Sequence, residues 1–336
     1  MKISVLDQTH LLEGKSAEHG FAESVELAQY LDEIGYHRYW LSEHHSMDVI
    51  AGSAPEILAS YLLAKTQRIR VGSGGVMLPH YSSYKVAESF KVLGGLAPGR
   101  VDLGVGRAPG GHQLSTIALQ SDRSRHGNID RFPAQVDEVL EYLEDELPDT
   151  HPLYGLETSP NIKEKPPVWV LGTSNSSAYL AAEKGLPYSF AHFINYQRGG
   201  MEAAVDYYVN NFEPSKHLDE PKVMVTMKVI VADTDEEADR IARTALSVDY
   251  HLRRGQISRL NEPARAFPHE INPMDKMEID NIKRTYIIGS KETVAAKIKE
   301  LTERLPIDEI MAVSPIYDME DRKRSFRLLK EAVNGE

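Results

Sequence analysis

The sequence predicts an α/β fold, a (β/α)8 TIM barrel with insertions, on three observations. Short apolar segments typical of buried parallel strands alternate with segments of helical periodicity. Four such strand–helix steps fit into roughly the first hundred residues, a spacing that favours parallel strands joined by crossover helices. Eight predicted strands in 336 residues then fit a single domain over 1–336 better than two domains. An open doubly wound sheet is the alternative.

The predicted strands are short and rich in β-branched and aromatic side chains. They span residues 3–6, 38–42, 69–73, 101–105, 168–171, 188–191, 223–231 and 309–313. The predicted helices between and after them span residues 22–34, 55–66, 85–96, 134–143, 176–184, 200–211, 292–304 and 322–333.

Helix ends are visible in the residue types. Gly35 supplies a C-terminal stop for helix 22–34, and Pro55 lies in a first turn, where its missing N–H is not needed. Thr234 and Glu237 form a T-x-x-E capping box, which predicts one more helix after the seventh strand.

Three segments interrupt the strand–helix rhythm and are expected to be insertions. They lie near 107–128, which is rich in Gly, Arg, His and Ser, near 147–166, and near 255–282, which has no clear period. Long loops inside a compact domain are usually functional, so the segments near 107–128 and 255–282 are expected to shape a substrate pocket.

Composition excludes several classes of protein. The chain has 38 Lys+Arg against 50 Asp+Glu, a net charge of −12, which argues against nucleic acid or an anionic membrane as a main partner. With no cysteine, disulfides, thiolate metal sites and cysteine nucleophiles are excluded. No apolar run approaches the roughly 20 residues of a membrane span, and the first residues do not resemble a signal peptide. We therefore expect a soluble, cytoplasmic protein.

Two nucleotide-binding motifs are incomplete. Gly104 and Gly106 begin a G-x-G-x-x-G pattern, but Pro109 stands where the third glycine belongs. The segment 14–16 resembles the end of a P-loop, but Thr9 takes the place of its first glycine. Neither a Rossmann site nor a P-loop is expected.

The triplet Glu43-His44-His45 follows the second strand. Active groups of a barrel lie at the carboxyl ends of its strands, so this position favours function. Neighbouring side chains of an extended segment face opposite ways, so one histidine is expected to face a ligand while the other packs or orients it. We interpret the pair as a histidine base steered by an acidic neighbour. Two satisfied histidines at a barrel mouth are the structural alternative.

The third predicted strand ends in glycines. Gly74 and Gly75 lie where a parallel strand would meet a ligand, and glycine within a strand often marks close approach of the backbone. A flat ligand against this backbone is the functional interpretation, and a bend of the barrel is the alternative.

A phosphate site is predicted from the next two strands. Arg107 follows the fourth strand among small residues, and an arginine there can bind a phosphate in a bidentate manner. Hydroxyl side chains and free N–H groups at the start of helix 176–184 suit the same anion. A surface ion pair for Arg107 and plain N-capping by the hydroxyls are the alternatives. The hydroxyls belong to Thr173, Ser174, Ser176 and Ser177.

These motifs together resemble the bacterial luciferase-like flavin-dependent monooxygenases. Within that family the chain is similar to luciferase-like oxidoreductases of unassigned substrate. The resemblance runs through LDQ at 6–8, GYHRYWLSEHH at 35–45, RVGSGGVMLPHYS at 70–82, LAPGRVDLGVGRAPG at 96–110, VWVLGTSNSSAYLAAEKGLP at 168–187 and DEIMAVSPIYD at 308–318.

The resemblance implies a barrel that binds FMN at its carboxyl mouth, receives reduced FMN from a separate NAD(P)H-dependent flavin reductase, and uses O2 to oxidise a small organic substrate. It also implies a homodimer. Position by position, it assigns His44, beside His45, as the catalytic base, and a cis peptide between Gly74 and Gly75 under the flavin ring. The residues that it assigns to the FMN phosphate are Arg107, Thr173, Ser174 and Ser177.

The chain departs from luciferase at two places. The luciferase catalytic subunit has a reactive cysteine just before the arginine, where this chain has Gly106, and an acidic residue in the next loop, where this chain has Gln113. We therefore do not expect light emission or oxidation of long-chain aldehydes, whereas flavin binding does not depend on these positions.

Three other functions stay open from the sequence. The same barrel could bind deazaflavin F420 and transfer hydride without oxygen, or it could bind flavin without catalysis. A metallohydrolase would use His44, His45 and Asp7 as ligands, although adjacent histidines cannot easily turn toward one ion.

Overall fold

The computed structural model describes residues 1–107, 109–121, 130–197, 199–268 and 270–335. Its strands are all parallel to their neighbours. They are β1 (Lys2–Asp7), β2 (Arg38–Leu41), β3 (Arg70–Met77), β4 (Val101–Gly106), β5 (Val168–Gly172), β6 (Tyr188–Ala191), β7 (Val223–Ala232), β8 (Ile287–Ser290) and β9 (Glu309–Val313).

Strands β1 to β7 and β9 close into a barrel. Each of β1 to β6 pairs with the next strand in the chain. Strand β7 then pairs with β9, and β9 pairs with β1. The predicted (β/α)8 barrel is therefore confirmed, and the open doubly wound sheet is wrong. Each of the eight predicted strands overlaps one strand of the barrel.

Helices surround the barrel. They are α1 (Ala17–Glu33), α2 (Pro55–Lys65), α3 (Ser83–Leu96), α4 (Gln113–Leu119), α5 (Phe132–Glu144), α6 (Asn175–Glu183), α7 (Gly200–Asn210), α8 (Asp235–Arg253), α9 (Pro273–Lys283), α10 (Lys291–Arg304) and α11 (Met319–Asn334). The predicted cap is present, since the hydroxyl of Thr234 accepts a hydrogen bond from the Glu237 N–H at the start of α8. None of the helices in the described residues is both long and apolar enough to cross a membrane.

One strand and two α-helices of the described residues were not predicted. Strand β8 pairs with Val229–Ala232, the end of the long β7 that extends past β9, and so lies outside the barrel. Helix α9 lies within the segment 255–282, and α4 within 107–128. Residues 122–128 of the latter segment lie outside the described residues.

Large side chains fill the barrel interior. Trp40 and Trp169 meet edge to face, with ring centroids 5.5 Å apart, among Leu6, Met224 and Met311. Below them Arg38 is buried between the carboxylates of Asp102 and Glu309. Because the interior is packed, ligand sites belong at the strand ends.

Candidate functional site

Two adjoining cavities open at the carboxyl ends of the strands. The first, which we call the β5 cavity, has a volume of about 220 Å³. All six residues predicted to bind the cofactor line it, namely Gly74, Gly75, Arg107, Thr173, Ser174 and Ser177. The second, the α8 cavity, has a volume of about 390 Å³ and is lined by His44. The two cavities share the lining residues Gly74, Met77, Phe193 and Ile194, so they adjoin at these residues.

Of the two glycines of β3, Gly74 lines both cavities and Gly75 lines the β5 cavity. The peptide bond between Gly74 and Gly75 is cis, as the resemblance implies. A Cβ atom on Gly75 would lie 2.8 Å from the backbone oxygen of Gly104 on β4, so no larger residue fits without movement of the sheet. The pairing register between β3 and β4 also shifts at this point. The two glycines thus allow the close approach of β3 to β4, and they line the β5 cavity without a side chain.

Arg107 lies at the end of β4 with its guanidinium half-exposed. Its Nη1 is 3.5 Å from the hydroxyl of Ser176 and 3.3 Å from a carboxylate oxygen of Asp130, and its Cζ is 5.2 Å from the ring centroid of Phe132. The ion pair considered from the sequence is therefore present. It is exposed and weak, so an anion in the cavity could replace it.

The start of α6 lies opposite Arg107. Ser174 is the N-cap residue, but its side chain makes no capping hydrogen bond, so plain N-capping does not account for it. Ser177 is buried and donates to the Ser174 carbonyl at 2.7 Å, so its hydroxyl holds the first turn together. Ser176, absent from the residues that the resemblance assigned to the phosphate, is the hydroxyl nearest Arg107.

The donor set suits a phosphate monoester. A guanidinium, two exposed hydroxyls and the free N–H groups of a helix N-terminus converge on one side of the β5 cavity. The opposite side is apolar, with Leu6, Trp40, Leu171 and Phe193, as a flat aromatic ring requires. These residues fit the phosphate and ring of a flavin nucleotide.

The two adjacent histidines have different surroundings. Nδ1 of His44 lies 3.0 Å from the Ser42 hydroxyl, and Nε2 has no hydrogen-bond partner among the described residues. Burial, together with the neighbouring His45, lowers the pKa of His44 to about 4. His45 instead lies with Nε2 2.7 Å from Glu43. His44 is therefore a neutral imidazole that lines the α8 cavity, while His45 is bound to the acidic residue.

The sequence missed a polar group in the α8 cavity. Nζ of Lys228, on β7, lies 2.6 and 2.5 Å from the two carboxylate oxygens of Asp249, on α8, and the Tyr286 hydroxyl donates to the same carboxylate at 2.9 Å. Burial lowers the pKa of Lys228, although Asp249 acts in the opposite direction. The available signal was the single charge of Lys228 inside the apolar run of β7.

His10 is a second imidazole of this cavity that the sequence missed. Burial and then the positive charge of Arg322 lower its pKa to about 3. Its side chain makes no hydrogen bond within the described part of the chain. The signal was its place three residues after β1, at the same edge of the barrel as Glu43-His44-His45.

The metal site considered from the sequence is not assembled. Asp7 is buried beneath α1, where it accepts hydrogen bonds from Ser24, Tyr39, the Thr9 N–H and Arg322. Within the residues that the structure describes, no three His, Asp or Glu side chains are grouped to hold a metal ion.

Comparison with known proteins gives one family. The model of the luciferase-like monooxygenase family matches residues 1–309. A relative from Bacillus subtilis (strain 168), an N-acetyl-S-alkylcysteine monooxygenase, is 38% identical over 333 residues, which cover 99% of this chain and 98% of the relative.

Two solved structures share the fold. Apo-MsnO8 superposes with a TM-score of 0.87 at 35% identity, covering 99% of this chain and 98% of that chain. The oxygenating constituent of 3,6-diketocamphane monooxygenase from Pseudomonas putida, in complex with FMN, superposes with a TM-score of 0.72 at 19% identity, covering 99% of this chain and 97% of that chain.

Proposed function

This chain belongs to the luciferase-like monooxygenase family, and from that premise we propose that it is an FMN-dependent monooxygenase. It would use O2 and reduced FMN, supplied by a separate NAD(P)H-dependent flavin reductase, to oxidise a small organic substrate. The observation that carries the proposal is the pair of cavities that meet at Gly74, one with a phosphate-binding donor set and one with a histidine.

The β5 cavity would hold the cofactor. Arg107, Ser174 and Ser176 would bind the FMN phosphate with the N-terminus of α6, and the flavin ring would lie over Gly74 and Gly75. When bound, FMN supplies the redox chemistry that activates oxygen. Thr173 and Ser177 would act by shaping this end of β5 and α6, since the Ser177 hydroxyl is already used within the helix.

His44 would exchange a proton with the substrate or the reduced cofactor. When Nδ1–H donates to Ser42, Nε2 carries a lone pair and can accept a proton. Its lowered pKa keeps the ring neutral at neutral pH, as a base requires. His45 would act indirectly, by holding Glu43 and the segment that carries His44.

The direct test is a titration of the purified protein with FMN, reduced FMN and F420, followed by oxygen consumption with a flavin reductase and NADH. We expect micromolar affinity for FMN or its reduced form. N-acetyl-S-alkylcysteines form the first substrate panel, because a relative bears that activity in its name. Absence of flavin affinity would refute the proposal, and a preference for F420 would indicate hydride transfer instead. A His44→Ala variant with unchanged turnover would indicate a flavin-binding protein without this catalysis.

We also propose a homodimer in the cytoplasm. Helices α2 and α3 present large apolar side chains to solvent, which suits a face covered by a second copy. The exposed residues are Ile57, Tyr61, Val92 and Leu96. Light scattering should give twice the chain mass for the native protein and the mass of one chain for Ile57→Glu/Tyr61→Glu. A native monomer would refute this part of the proposal.

A further inference from the structure

We propose that the α8 cavity binds a substrate that carries a carboxylate group, and that Arg253 is the partner of this carboxylate. The inference rests on the proposed function, because it concerns the substrate side of the same site. It specifies the substrate class as a small organic acid with an apolar body.

The first support is that one cation of the cavity wall, Arg253, has no carboxylate partner in the part of the chain that the structure describes. Lys228 and Arg253 are both cationic, but the wall has one carboxylate between them, that of Asp249. Both oxygens of Asp249 are bound to Lys228. Among the described residues, no carboxylate lies within 4 Å of Arg253, so its charge has no partner of its own chain. Arg253 is solvent-exposed and lines the cavity, so a ligand can reach its guanidinium.

The positive charge of Arg253 acts on Lys228, the other cation of the cavity wall. After burial, the positive charge of Arg253 is a further cause that lowers the pKa of buried Lys228, and Asp249 opposes both. Asp249 and Arg253 are four residues apart on α8, so their side chains lie on one face of the helix. An anion bound to Arg253 would therefore complete a cluster of two cations and two anions.

The second support is the placement of the guanidinium. Its Cζ lies 4.6 Å from the ring centroid of Tyr196, and both residues line the cavity. Stacking on an aromatic face orients an arginine and leaves its N–H groups free for a planar, bidentate acceptor. A carboxylate has that geometry.

The neighbouring arginine shows the contrast. Arg254 lies 2.8 Å from carboxylate oxygens of both Asp275 and Glu278, stacks on Tyr250, and does not line the cavity. Two consecutive arginines at the end of α8 thus have different roles, one bound to carboxylates of its own chain and one facing the cavity without such a partner.

The third support is the remainder of the wall, which is largely apolar. It is formed by residues such as Met47, Val49, Phe193, Ile194, Leu252 and Ile257. Glu43, the other carboxylate of the lining, is already bound to His45, Tyr81 and the Met77 N–H. With its acid group on Arg253, the substrate would extend its apolar body toward Gly74 and His44, where the two cavities meet.

The test compares a carboxylate with its neutral amide. The binding of 4-phenylbutyrate and of 4-phenylbutyramide to the full chain with FMN added is measured by calorimetry, for the native protein and for Arg253→Gln, Arg253→Lys and Arg254→Gln. We expect the native protein and Arg254→Gln to prefer the acid. Arg253→Gln should bind the acid at least tenfold more weakly and the amide unchanged, and Arg253→Lys should keep part of the preference.

Several outcomes would overturn the inference. These are equal affinity for acid and amide in the native protein, binding of neither, an unchanged preference in Arg253→Gln, or an equal loss in Arg254→Gln. If Arg253→Gln weakens the binding of FMN and leaves the binding of the acid unchanged, Arg253 belongs to the cofactor site. A separate FMN titration distinguishes failure of the proposed function, since a preference for the acid without flavin affinity would leave the carboxylate site standing and refute the monooxygenase.

Discussion

Oε1 of Glu43 lies 2.7 Å from Nε2 of His45, so the acidic residue of the triplet is bound to the second histidine and not to the first. The Tyr81 hydroxyl donates to the same oxygen at 2.8 Å, and the Met77 N–H donates to the other oxygen at 3.0 Å. Because the carboxylate is fully buried, these three donors fix both the loop after β2 and the end of β3. His44 is thereby left free to face the α8 cavity.

Removal of the His45 ring is expected to destabilise the fold and to leave flavin binding intact. In His45→Ala, Glu43 loses a donor while its carboxylate stays buried, which should lower the free energy of unfolding by about 1–3 kcal/mol. Urea denaturation measures the loss. His45→Gln, which keeps a side-chain donor, should recover part of it. Unchanged stability with lost turnover would instead give His45 a chemical role.

Stability is expected to decrease as the pH decreases, over a window set by two partly buried histidines. Burial lowers the pKa of His44 to about 4 and that of His10 to about 3, whereas in the unfolded chain both are near 6.5. Between about pH 5 and 6 each ring is neutral when folded and charged when unfolded, so unfolding takes up about one proton per ring. Stability is therefore lost as the pH falls from about 6.5 toward 4.

Each of these protons corresponds to a slope of about 1.4 kcal/mol per pH unit. His10→Asn and His44→Asn should each reduce by about this amount the slope that urea unfolding shows between pH 5 and 6. If the free energy of unfolding of both variants changed with pH as steeply as that of the native protein, neither ring would be kept neutral by burial.

The barrel strands were predictable because each is covered on both sides. Such strands read as continuous apolar runs, as in β7, and the helices between them begin and end at recognisable caps such as Thr234. Strand β8 was not predictable in this way. It has four residues, and its partner is the end of β7 that extends beyond β9, a feature of register and not of composition.

The residues of the proposed cofactor side could be picked out in the sequence, because they lie in strands or directly after them. Gly74 lies within β3 and Arg107 directly follows β4, and these neighbouring parallel strands bring the two residues to the same side of the barrel. The residues of the proposed substrate side could not be picked out, because Asp249 and Arg253 belong to the end of a long helix whose polar face resembles any solvated face. Only the packing of α8 over β7 shows which of its charges face a cavity.

Loss of the Arg107 side-chain charge is expected to weaken the binding of FMN but not that of riboflavin. In Arg107→Gln the phosphate loses a charged donor, so the FMN dissociation constant should rise about 10- to 100-fold, and that of riboflavin, which has no phosphate, should not change. Flavin fluorescence titration measures both constants. Arg131→Gln is the matched control, because Arg131 is bound to Glu138 and does not line the β5 cavity. Equal weakening of FMN and riboflavin would place Arg107 away from the phosphate.

A methyl group at Gly75 is expected to disturb both the sheet and the cofactor site. In Gly75→Ala the new Cβ would lie 2.8 Å from the Gly104 oxygen and 3.3 Å from Leu171, and the backbone atom cannot move without shifting β4. Overpacking of this kind costs about 1–3 kcal/mol, which urea denaturation would detect, and the affinity for FMN should fall with it. Gly95→Ala is the control, because a Cβ at this position of α3 would make an ordinary contact of 3.4 Å and should favour the helix. Full stability and unchanged FMN affinity in Gly75→Ala would show that β3 and β4 can separate at this point, and that the close approach of the two strands is not what requires glycine.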